Sequence, residues 1–530
     1  MFSLSGGFME LRIELEGYLE LTMDVGGLAT QISEVIREAN EMFRKTVSGE
    51  ASQTAVIVGY GGEGKRLKLK IISGGKLRAH DALLRFKNIL AERIGPSMKV
   101  GVRDIVVEKL TVKIHGGHIG LEKAREKLGE VVKLSSEDDS LILVFENLSD
   151  HDIRERIVDR TIRLVRVQEV EERPVEKLAT FGTILKRGEE KTFRLSGEVS
   201  IEAERLGWAR RYPGRGQWIF TAPMTTLLRT LSELIIEYVA KPLGFQEWMF
   251  PRLMPFEVFK KLSTYVEHLP EGLFYVCAPP REPTAFEEFK REYALRRELR
   301  RDLLKNILEE PGYVLEAVQC PPFYQYFSGE IVRLEELPIK AFDLLGGWTW
   351  RNEGGGVEGL VRTNEFWRME MVFLAGPEET VEIRDKVTDL TVELVDRVLD
   401  MEWRVVAGAP FFLSPEEASK RLIDISSTEK IPTLDVEVYL PYRGPRDRAE
   451  WLEITAASVH RDFYVKAFKI KEVKNRELWT GCVGHGLTRW AAGFLARHGF
   501  EFDDWPVRVK EKIKELPQPP RTVTGQSSSS

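Results

Sequence analysis

The sequence predicts an α+β protein in which a smaller N-terminal domain, residues 1–165, precedes a larger domain, residues 191–515. Three observations lead to this prediction. At 530 residues the chain is too long for one ordinary hydrophobic core, so two to four domains are expected. Segments of strand period alternate with segments of helical period along the first part of the chain. A polar connector, residues 166–190, separates that part from the rest.

Composition places the chain among soluble globular proteins. It contains no apolar run of about 18 residues, so no membrane span is predicted. Its beginning lacks the pattern of a secretory signal, and we expect a cytoplasmic protein. The three cysteines are widely spaced and odd in number, which argues against a disulfide framework. The net charge of -6 gives no general attraction to nucleic acid, so an RNA partner requires local basic surfaces.

The N-terminal domain is expected to be a small α+β domain with one basic helix. MELRIELEGYLEL alternates apolar and polar residues, whereas ISEVIREANEMFRKTV has apolar residues at helical spacing. DALLRFKNILAERIG begins with the N-cap residue Asp81 and ends with glycine, which predicts a second helix. Basic residues on a helix usually lie on its solvated face, but they are also the residue types that contact RNA phosphates. The helix and its lead-in carry four of them: Arg78, Arg85, Lys87 and Arg93.

The larger domain opens with a helix, a break and a strand. TTLLRTLSELIIEYVAKPLGFQEWMFPRLMP predicts a long amphipathic helix, a Pro-Gly break and a strand that ends at Pro251. Residues 284–309 are dense in charge with a thin apolar stripe, and predict an exposed inserted helix. Residues 403–431 predict a loop and a helix. The low-complexity tail, residues 516–530, is expected to be disordered.

Residues 341–376 predict an antiparallel hairpin around a glycine-rich loop. Arg351 and Glu353 are two residues apart and therefore share a face, while Arg362 and Phe366 lie on the return. Guanidinium groups bind phosphate, a carboxylate accepts hydrogen bonds from an exocyclic amine, and a phenyl ring stacks on a base. Each residue alone is more often an ordinary strand residue or ion pair. Together they fit a nucleoside triphosphate.

A second glycine-rich stretch, GHGLTRW, stands at the start of a predicted helix. Its two glycines allow close approach of the backbone to a ligand, and Arg489 follows within reach. Taken alone, this pattern is weak evidence for a ligand-binding site.

In this order, the three segments resemble the three signature motifs of class II aminoacyl-tRNA synthetases. GFQEWMFPRL resembles motif 1, WRNEGGGVEGLVRTNEF resembles motif 2, and GHGLTRWAAGFL resembles motif 3. The resemblance covers residues 190–515. It implies an antiparallel sheet flanked by helices, a homodimer formed through the motif 1 region, and ATP bound in a bent form.

The resemblance also implies residue roles. Arg351 contacts the α-phosphate, Glu353 the adenine amine, and Phe366 one face of the adenine. Arg489 contacts the γ-phosphate and the other face, and Arg362 matches the second arginine of motif 2. Arg351 and Arg489 are therefore the expected catalytic residues, acting with magnesium by positioning and charge neutralisation.

Cys320, Glu370 and Cys482 are a candidate metal set. Distant cysteines are more often buried packing residues, but thiolates and a carboxylate also bind zinc and leave a fourth position open. The chain resembles the atypical methanogen-type seryl-tRNA synthetases, in which zinc held by Cys, Glu and Cys binds the serine amino group. The resemblance implies one zinc per subunit, with Glu370 at the serine site, and serine and ATP as substrates.

The same resemblance implies tRNA(Ser) as the partner and a tRNA-binding role for the N-terminal domain and its four basic residues. An ordinary bacterial seryl enzyme begins with a long coiled-coil arm, and no sustained heptads are present here. Residues 403–431 stand where the methanogen type carries an insertion that orders over bound serine.

One segment, WLEITAASVHRDF, departs from the family pattern. Glu453 fits the acidic contact to magnesium and nucleotide, but the position three residues on, polar in relatives, is Ala456. Ser458 is present and is expected to help position the substrate. Asp435 and Glu437 receive no role.

Three alternative functions remain open from the sequence. A threonyl-type synthetase is disfavoured because two histidine ligands are expected there and position 370 is glutamate. A ligase that loads an amino acid onto a carrier protein is disfavoured by the large N-terminal domain. A non-catalytic RNA-binding relative is disfavoured by the complete set of Arg351, Glu353 and Arg489. Amino-acid-dependent pyrophosphate exchange discriminates among them.

Overall fold

The computed structural model divides into two compact units, residues 1–173 and 174–530. No described helix is long and apolar enough to cross a membrane. The described residues are 10–45, 54–129, 131–138, 140–166, 178–345, 347–352, 356–409 and 420–520.

The N-terminal unit is built on a six-stranded antiparallel sheet. Its strands are β1 (Glu10–Leu21), β2 (Ala55–Glu63), β3 (Arg66–Ser73), β4 (Val102–His115), β5 (Lys133–Glu137) and β6 (Ser140–Ser149). Their order in the sheet is β2-β3-β1-β4-β6-β5. Because strand side chains alternate between faces, the period-two pattern of β1 buries Ile13, Leu15 and Leu19 on one side.

Helices cover the buried face of this sheet. Helix α2 begins at Ala79, just before the predicted N-cap Asp81, and Phe86 of this helix packs in the same core as Ile13 and Phe43. The small α+β domain expected from the sequence is therefore present. The described helices are α1 (Ala29–Lys45), α2 (Ala79–Met98), α3 (Leu121–Leu128), α4 (Asp150–Arg154) and α5 (Ile157–Val165).

The larger unit contains a nine-stranded sheet, a three-stranded sheet and short two-stranded pairs. The strands are β7 (Leu178–Thr180), β8 (Ile184–Arg187), β9 (Ala209–Arg211), β10 (Trp218–Phe220), β11 (Gln246–Trp248), β12 (Leu253–Pro255), β13 (Tyr275–Cys277), β14 (Pro311–Leu315), β15 (Ile331–Val332), β16 (Ile339–Asp343), β17 (Trp348–Trp350), β18 (Glu365–Ala375), β19 (Trp403–Gly408), β20 (Leu422–Asp424), β21 (Thr433–Val438), β22 (Leu452–Arg461), β23 (Lys471–Glu472) and β24 (Trp479–Gly486). The order in the main sheet is β11-β16-β18-β24-β22-β21-β19-β8, with β17 paired to β18. Only the β11–β16 pair of this sheet is parallel.

Helices pack on one face of the main sheet and leave part of the other face open. On β18, Met369, Met371 and Phe373 enter the core formed with α7, α13 and α15, while Arg368 and Glu370 point to the opposite face. That opposite face carries the site. The described helices are α6 (Val199–Arg205), α7 (Ala222–Ile235), α8 (Phe256–Phe259), α9 (Ser263–His268), α10 (Glu287–Arg296), α11 (Arg301–Ile307), α12 (Pro321–Tyr326), α13 (Pro377–Glu393), α14 (Phe463–Ala467), α15 (Leu487–His498) and α16 (Val507–Ile513).

Two predicted boundaries differ from the structure. The connector 166–190 is too long, because β8 lies inside it and pairs with β19 at the edge of the main sheet. The predicted disordered tail 516–530 begins too early, because Leu516 packs against the core of the larger unit. Residues 167–177 and 521–530 lie outside the described residues.

Three predicted elements of the larger domain are also revised. The single helix expected at 284–309 is two helices, α10 and α11, because Arg297 takes a left-handed conformation with φ of 56° and ends the first. The strand expected to end at Pro251 ends at Trp248. Residues 403–431 begin as β19, not as a loop, and the stretch 410–419 lies outside the described residues. The antiparallel pairing of β17 with β18 confirms the predicted hairpin.

Candidate active site

The open face of the main sheet forms one wall of a cavity of about 540 Å³. The sequence predicted ten site residues in this domain. Arg362 does not line the cavity, and Glu353 lies outside the described residues. The other eight line it: Cys320, Arg351, Phe366, Glu370, Glu453, Ser458, Cys482 and Arg489.

Arg351 and Phe366 stand at one end of the cavity. Arg351 follows the last residue of β17, and its Nε donates to the carbonyl oxygen of Ala317 at 3.0 Å. Phe366 lies on the adjacent strand β18, opposite Thr349. A guanidinium held in place by the backbone is oriented before a phosphate arrives, which lowers the entropic cost of binding it.

Arg489 is fixed by two backbone carbonyls in the first turn of α15. Its Nε donates to Val361 at 2.9 Å and its Nη1 donates to the Glu453 carbonyl at 3.1 Å. The Glu453 carboxylate lies 3.7 Å from the same Nη1. Arg362, in contrast, is 3.1 Å from Glu450. The structure thus brings Arg489 and Glu453 together at the cavity, and leaves Arg362 in an ion pair beside it.

Cys320, Glu370 and Cys482 converge although they come from distant parts of the chain. Cys320 precedes α12, Glu370 lies on β18, and Cys482 lies on the neighbouring strand β24. Glu370 pairs with Gly484, so Cys482, two residues earlier, shares its face. One ligand atom from each lies within 4.8 Å of the others. Ligands of a tetrahedral zinc are about 3.5 to 3.8 Å apart, so small side-chain rotations suffice.

The electrostatics of this set favour a bound cation. Oε2 of Glu370 is buried without a hydrogen-bond partner among the described residues. Arg368 Nε lies 3.2 Å from that oxygen, but it donates its hydrogen to Gln319 at 3.0 Å. The hydrogen bond with Cys320 and burial raise the pKa of the Cys482 thiol well above its usual range. A divalent cation reverses this effect, because thiolates bind metals in their deprotonated form.

Arg368 is a site residue that the sequence analysis missed. It lies on β18 between Phe366 and Glu370, at the same two-residue spacing, and therefore faces the cavity with both. Its Nη2 is buried without a partner among the described residues. The two-residue spacing of Phe366, Arg368 and Glu370 was the signal in the sequence that could have identified Arg368. This guanidinium places a positive charge between the Arg351 end and the Cys-Glu-Cys set.

The floor of the cavity is a row of four residues on adjacent strands. Glu370 pairs with Gly484, Gly484 with Ala456, and Ala456 with Asp435. The two central residues are small, so the space above them is free for a ligand. Burial and the nearby Glu453 raise the pKa of the Asp435 carboxyl well above its usual range. In this row, Ala456 widens the cavity where a polar side chain was expected.

Ser458 belongs to the next row along the same strands. It pairs with Cys482 on one side and with Thr433 on the other. The Ser458 and Thr433 hydroxyl oxygens are 3.0 Å apart. Two hydroxyl groups therefore lie beside the metal set, where they can bind a small polar side chain.

In the N-terminal unit, three of the four predicted RNA-contacting residues have acidic partners. Arg78 pairs with Asp159, Lys87 lies 4.0 Å from Asp150, and Arg93 pairs with Glu38. Arg85 is exposed and has no acidic partner among the described residues. The structure therefore singles out Arg85 as the most available of the four, and their contact with RNA stays a prediction.

Comparisons with known proteins agree with this arrangement. A family model described as a tRNA-binding domain matches residues 11–167, and one described as the class II tRNA synthetase core domain (G, H, P, S and T) matches residues 306–498. Type-2 serine–tRNA ligase of Methanocaldococcus jannaschii is 39% identical over 530 residues, covering 97% of this chain and 99% of that protein. The corresponding protein of Methanothermobacter thermautotrophicus is 37% identical over 520 residues, with the same coverage.

A solved structure extends the likeness to the whole fold. The crystal structure of M. kandleri SerRS in complex with A. aeolicus tRNASec matches with a TM-score of 0.74 and 36% identity. The match covers 97% of this chain and 99% of that one. The resemblance inferred from the motifs is thereby confirmed. The chain belongs to the type-2 serine–tRNA ligases, a family of class II aminoacyl-tRNA synthetases.

Proposed function

We propose that this chain activates serine with ATP to seryl-adenylate and transfers the seryl group to the 3′ end of tRNA(Ser). One observation carries the proposal: a single cavity joins the residue types that bind a nucleotide to a set of metal-binding residues. Arg351, Phe366 and Arg489 form the first group, and the Cys-Glu-Cys set forms the second. Membership of the type-2 serine–tRNA ligase family supports the same reaction.

Activation requires positioning and charge neutralisation rather than a protein nucleophile. The serine carboxylate attacks the α-phosphorus in line, and pyrophosphate leaves. Arg351 contacts the α-phosphate and Arg489 the γ-phosphate, while Phe366 stacks on the adenine and Glu353 accepts from its amine. Glu453 contacts the nucleotide and its magnesium. Arg351 and Arg489 are already anchored to backbone carbonyls, so their side chains need little reorganisation during the reaction.

Serine is proposed to bind between the nucleotide end and the Cys-Glu-Cys set. Cys320, Glu370 and Cys482 would hold one zinc per subunit, and this zinc would bind the neutral serine amino group. Arg368 binds the serine carboxylate, because it lines the cavity beside Glu370 and its buried Nη2 has no hydrogen-bond partner among the described residues. Ser458, with the neighbouring Thr433 hydroxyl, lies on the side toward which the serine side chain extends.

Two partners complete the proposal. The N-terminal domain binds tRNA(Ser), with Arg85 as its most exposed candidate contact. A second copy of the chain docks on the motif 1 region, where Met249, Leu253 and Tyr326 are exposed around a groove of the larger unit. The family supports a cytoplasmic homodimer.

The proposed function is tested by amino-acid-dependent pyrophosphate exchange followed by charging of a tRNA(Ser) transcript. Serine is expected to support exchange and charging, while threonine, alanine and cysteine support neither at equal concentration. Exchange with threonine instead of serine contradicts the substrate assignment. Serine exchange without charging of tRNA(Ser) contradicts the transfer step, and the absence of exchange with every amino acid contradicts activation itself.

A further inference from the structure

We infer that His460 is a positioning residue of the metal set: its Nε2–H donates to the sulfur of Cys482 and fixes that sulfur as a ligand. The two atoms are 3.4 Å apart. This inference rests on the proposed zinc-binding role of Cys320, Glu370 and Cys482. His460 itself is not part of the set whose ligand atoms all lie within 4.8 Å of one another. It therefore acts on one ligand from outside the set.

The surroundings of the other ring nitrogen of His460 fit the tautomer with its proton on Nε2. Nδ1 lies 3.2 Å from the Tyr324 hydroxyl and 3.3 Å from the Thr480 hydroxyl. Hydroxyl groups can donate to this nitrogen, and Tyr324 is buried with its oxygen directed at it. With Nδ1 accepting, the ring proton is on Nε2, on the side of Cys482.

A β-bulge places the imidazole beside the thiol. Strands β22 and β24 are in regular register up to Val459, and the register shifts before Arg461, so His460 is the extra residue. A bulge re-aims one side chain without breaking the sheet. Here it directs His460 toward Thr480 and Cys482, two residues of β24 that share a face.

Aromatic packing holds the ring in this orientation. The imidazole lies edge-on to Tyr464, with ring centroids 4.8 Å apart and planes at 84°. Tyr464 in turn stacks on Tyr324 at 4.6 Å. The imidazole is therefore held by two aromatic side chains and two hydroxyls, and it cannot turn its N–H away from the sulfur without breaking these contacts.

A charge-assisted N–H to sulfur bond stabilises the thiolate that a metal requires and restricts rotation about the Cys482 side chain. Loss of such a supporting hydrogen bond typically lowers metal affinity about 10- to 100-fold. We therefore expect His460 to affect metal affinity before it affects nucleotide binding.

The test compares His460→Phe, which keeps an aromatic ring but has no N–H, with His460→Gln, whose side-chain amide can donate to the same sulfur. Zinc affinity of the full-length protein is measured by competition with a chromophoric chelator, without serine or ATP. Cobalt substitution adds the sulfur-to-metal charge-transfer band as a second readout. The phenylalanine variant is expected to bind zinc about 10- to 100-fold more weakly and to shift that band. The glutamine variant is expected to recover most of the affinity, and both keep the wild-type affinity for ATP.

Wild-type zinc affinity in His460→Phe overturns the inference. Equal losses in both variants also overturn it, because they indicate either a packing role or direct ligation by the imidazole. These failures are separate from failure of the proposed function, which is read from serine-dependent exchange by the wild-type protein. A wild-type protein that binds no zinc overturns the metal site together with the role of His460.

Discussion

The guanidinium carbon of Arg351 lies 5.9 Å from the centroid of the Phe366 ring, and both residues line the cavity. This relationship predicts that Arg351→Ala lowers serine-dependent pyrophosphate exchange about 10²- to 10³-fold, because a donor fixed at the α-phosphate is lost. The melting temperature of the variant, compared with that of the wild type, checks that the fold is intact. The exposed Arg448 of the same unit provides a control, and Arg448→Ala should exchange like the wild type. Near-normal exchange by Arg351→Ala contradicts the assignment.

The metal set predicts different outcomes for two cysteines. Cys482→Ala is expected to lose bound zinc and to abolish serine activation, because two protein ligands hold the metal poorly. ATP binding, measured by calorimetry, should persist through Arg351, Phe366 and Arg489. Cys277→Ala is the matched control, since Cys277 is the cysteine outside the set. Full serine activation by Cys482→Ala, or active wild-type protein without zinc in elemental analysis, contradicts the zinc site.

Charge reversal at Arg85 tests the RNA-binding surface. Arg85→Glu is expected to weaken tRNA(Ser) binding and to reduce the dependence of log affinity on log salt by about one, while pyrophosphate exchange stays unchanged. Lys133 is also exposed in the N-terminal unit but pairs with Glu146 on the neighbouring strand, so Lys133→Glu is the control. Equal effects of both variants on tRNA affinity, or loss of exchange in Arg85→Glu, argue against a specific contact at Arg85.

The buried ion group around Arg252 predicts a large stability effect. Arg252 lies 2.6 Å from Glu316 and also pairs with Asp343, and both carboxylates are almost fully buried. Arg252→Met removes the guanidinium that pairs with both carboxyl groups and is expected to reduce the free energy of unfolding by about 3 to 5 kcal/mol. The exposed pair of Lys186 and Asp389 serves as the comparison, and Lys186→Met should cost at most about 1 kcal/mol. Urea denaturation measures both, and similar small losses in the two variants contradict the prediction.

The N-terminal unit is expected to lose stability as the pH falls below about 6.5, the usual pKa of histidine. Burial lowers the pKa of His80 to about 4, so the folded state keeps the ring neutral while the unfolded state binds a proton between these values. The stabilisation from the neutral His80 ring is fully present above about pH 6.5 and declines as the pH falls toward about 4. His80→Gln should therefore flatten the change in melting temperature between pH 7 and 5. The exposed His151 offers a control, and the same flattening in His151→Gln contradicts the assignment to His80.

Local sequence patterns predicted the individual elements of the site better than the contacts between elements that are distant in the chain. Arg351 and Phe366 were recognisable because a hairpin with a glycine-rich loop brings both together over a short stretch of chain. The proximity of Glu370 to Cys482 depends instead on the pairing of β18 with β24, and no local pattern specifies which distant strands become neighbours. For the metal set, the family resemblance supplied what the spacing alone left open.

Contacts between distant parts of the chain also explain most of the missed and revised features. Strand β8 was assigned to a connector because its partner β19 comes late in the chain. Arg93 was expected to face RNA because nothing near it in sequence indicates its pairing with Glu38. Arg368 could have been found, since the two-residue spacing from Phe366 to Glu370 was visible. His460 could not, because its orientation arises from a bulge.

The row of Glu370, Gly484, Ala456 and Asp435 limits how this enzyme can acquire a new amino acid specificity. A Cβ at Gly484 would lie 3.0 Å from Oε2 of Glu370, so any larger residue there disturbs a ligand while it narrows the cavity. Position 456 is one strand farther from Glu370, since Ala456 pairs with Gly484. We therefore expect evolution or design to retune the cavity at position 456, because a change at position 484 alters the cavity and the metal set together.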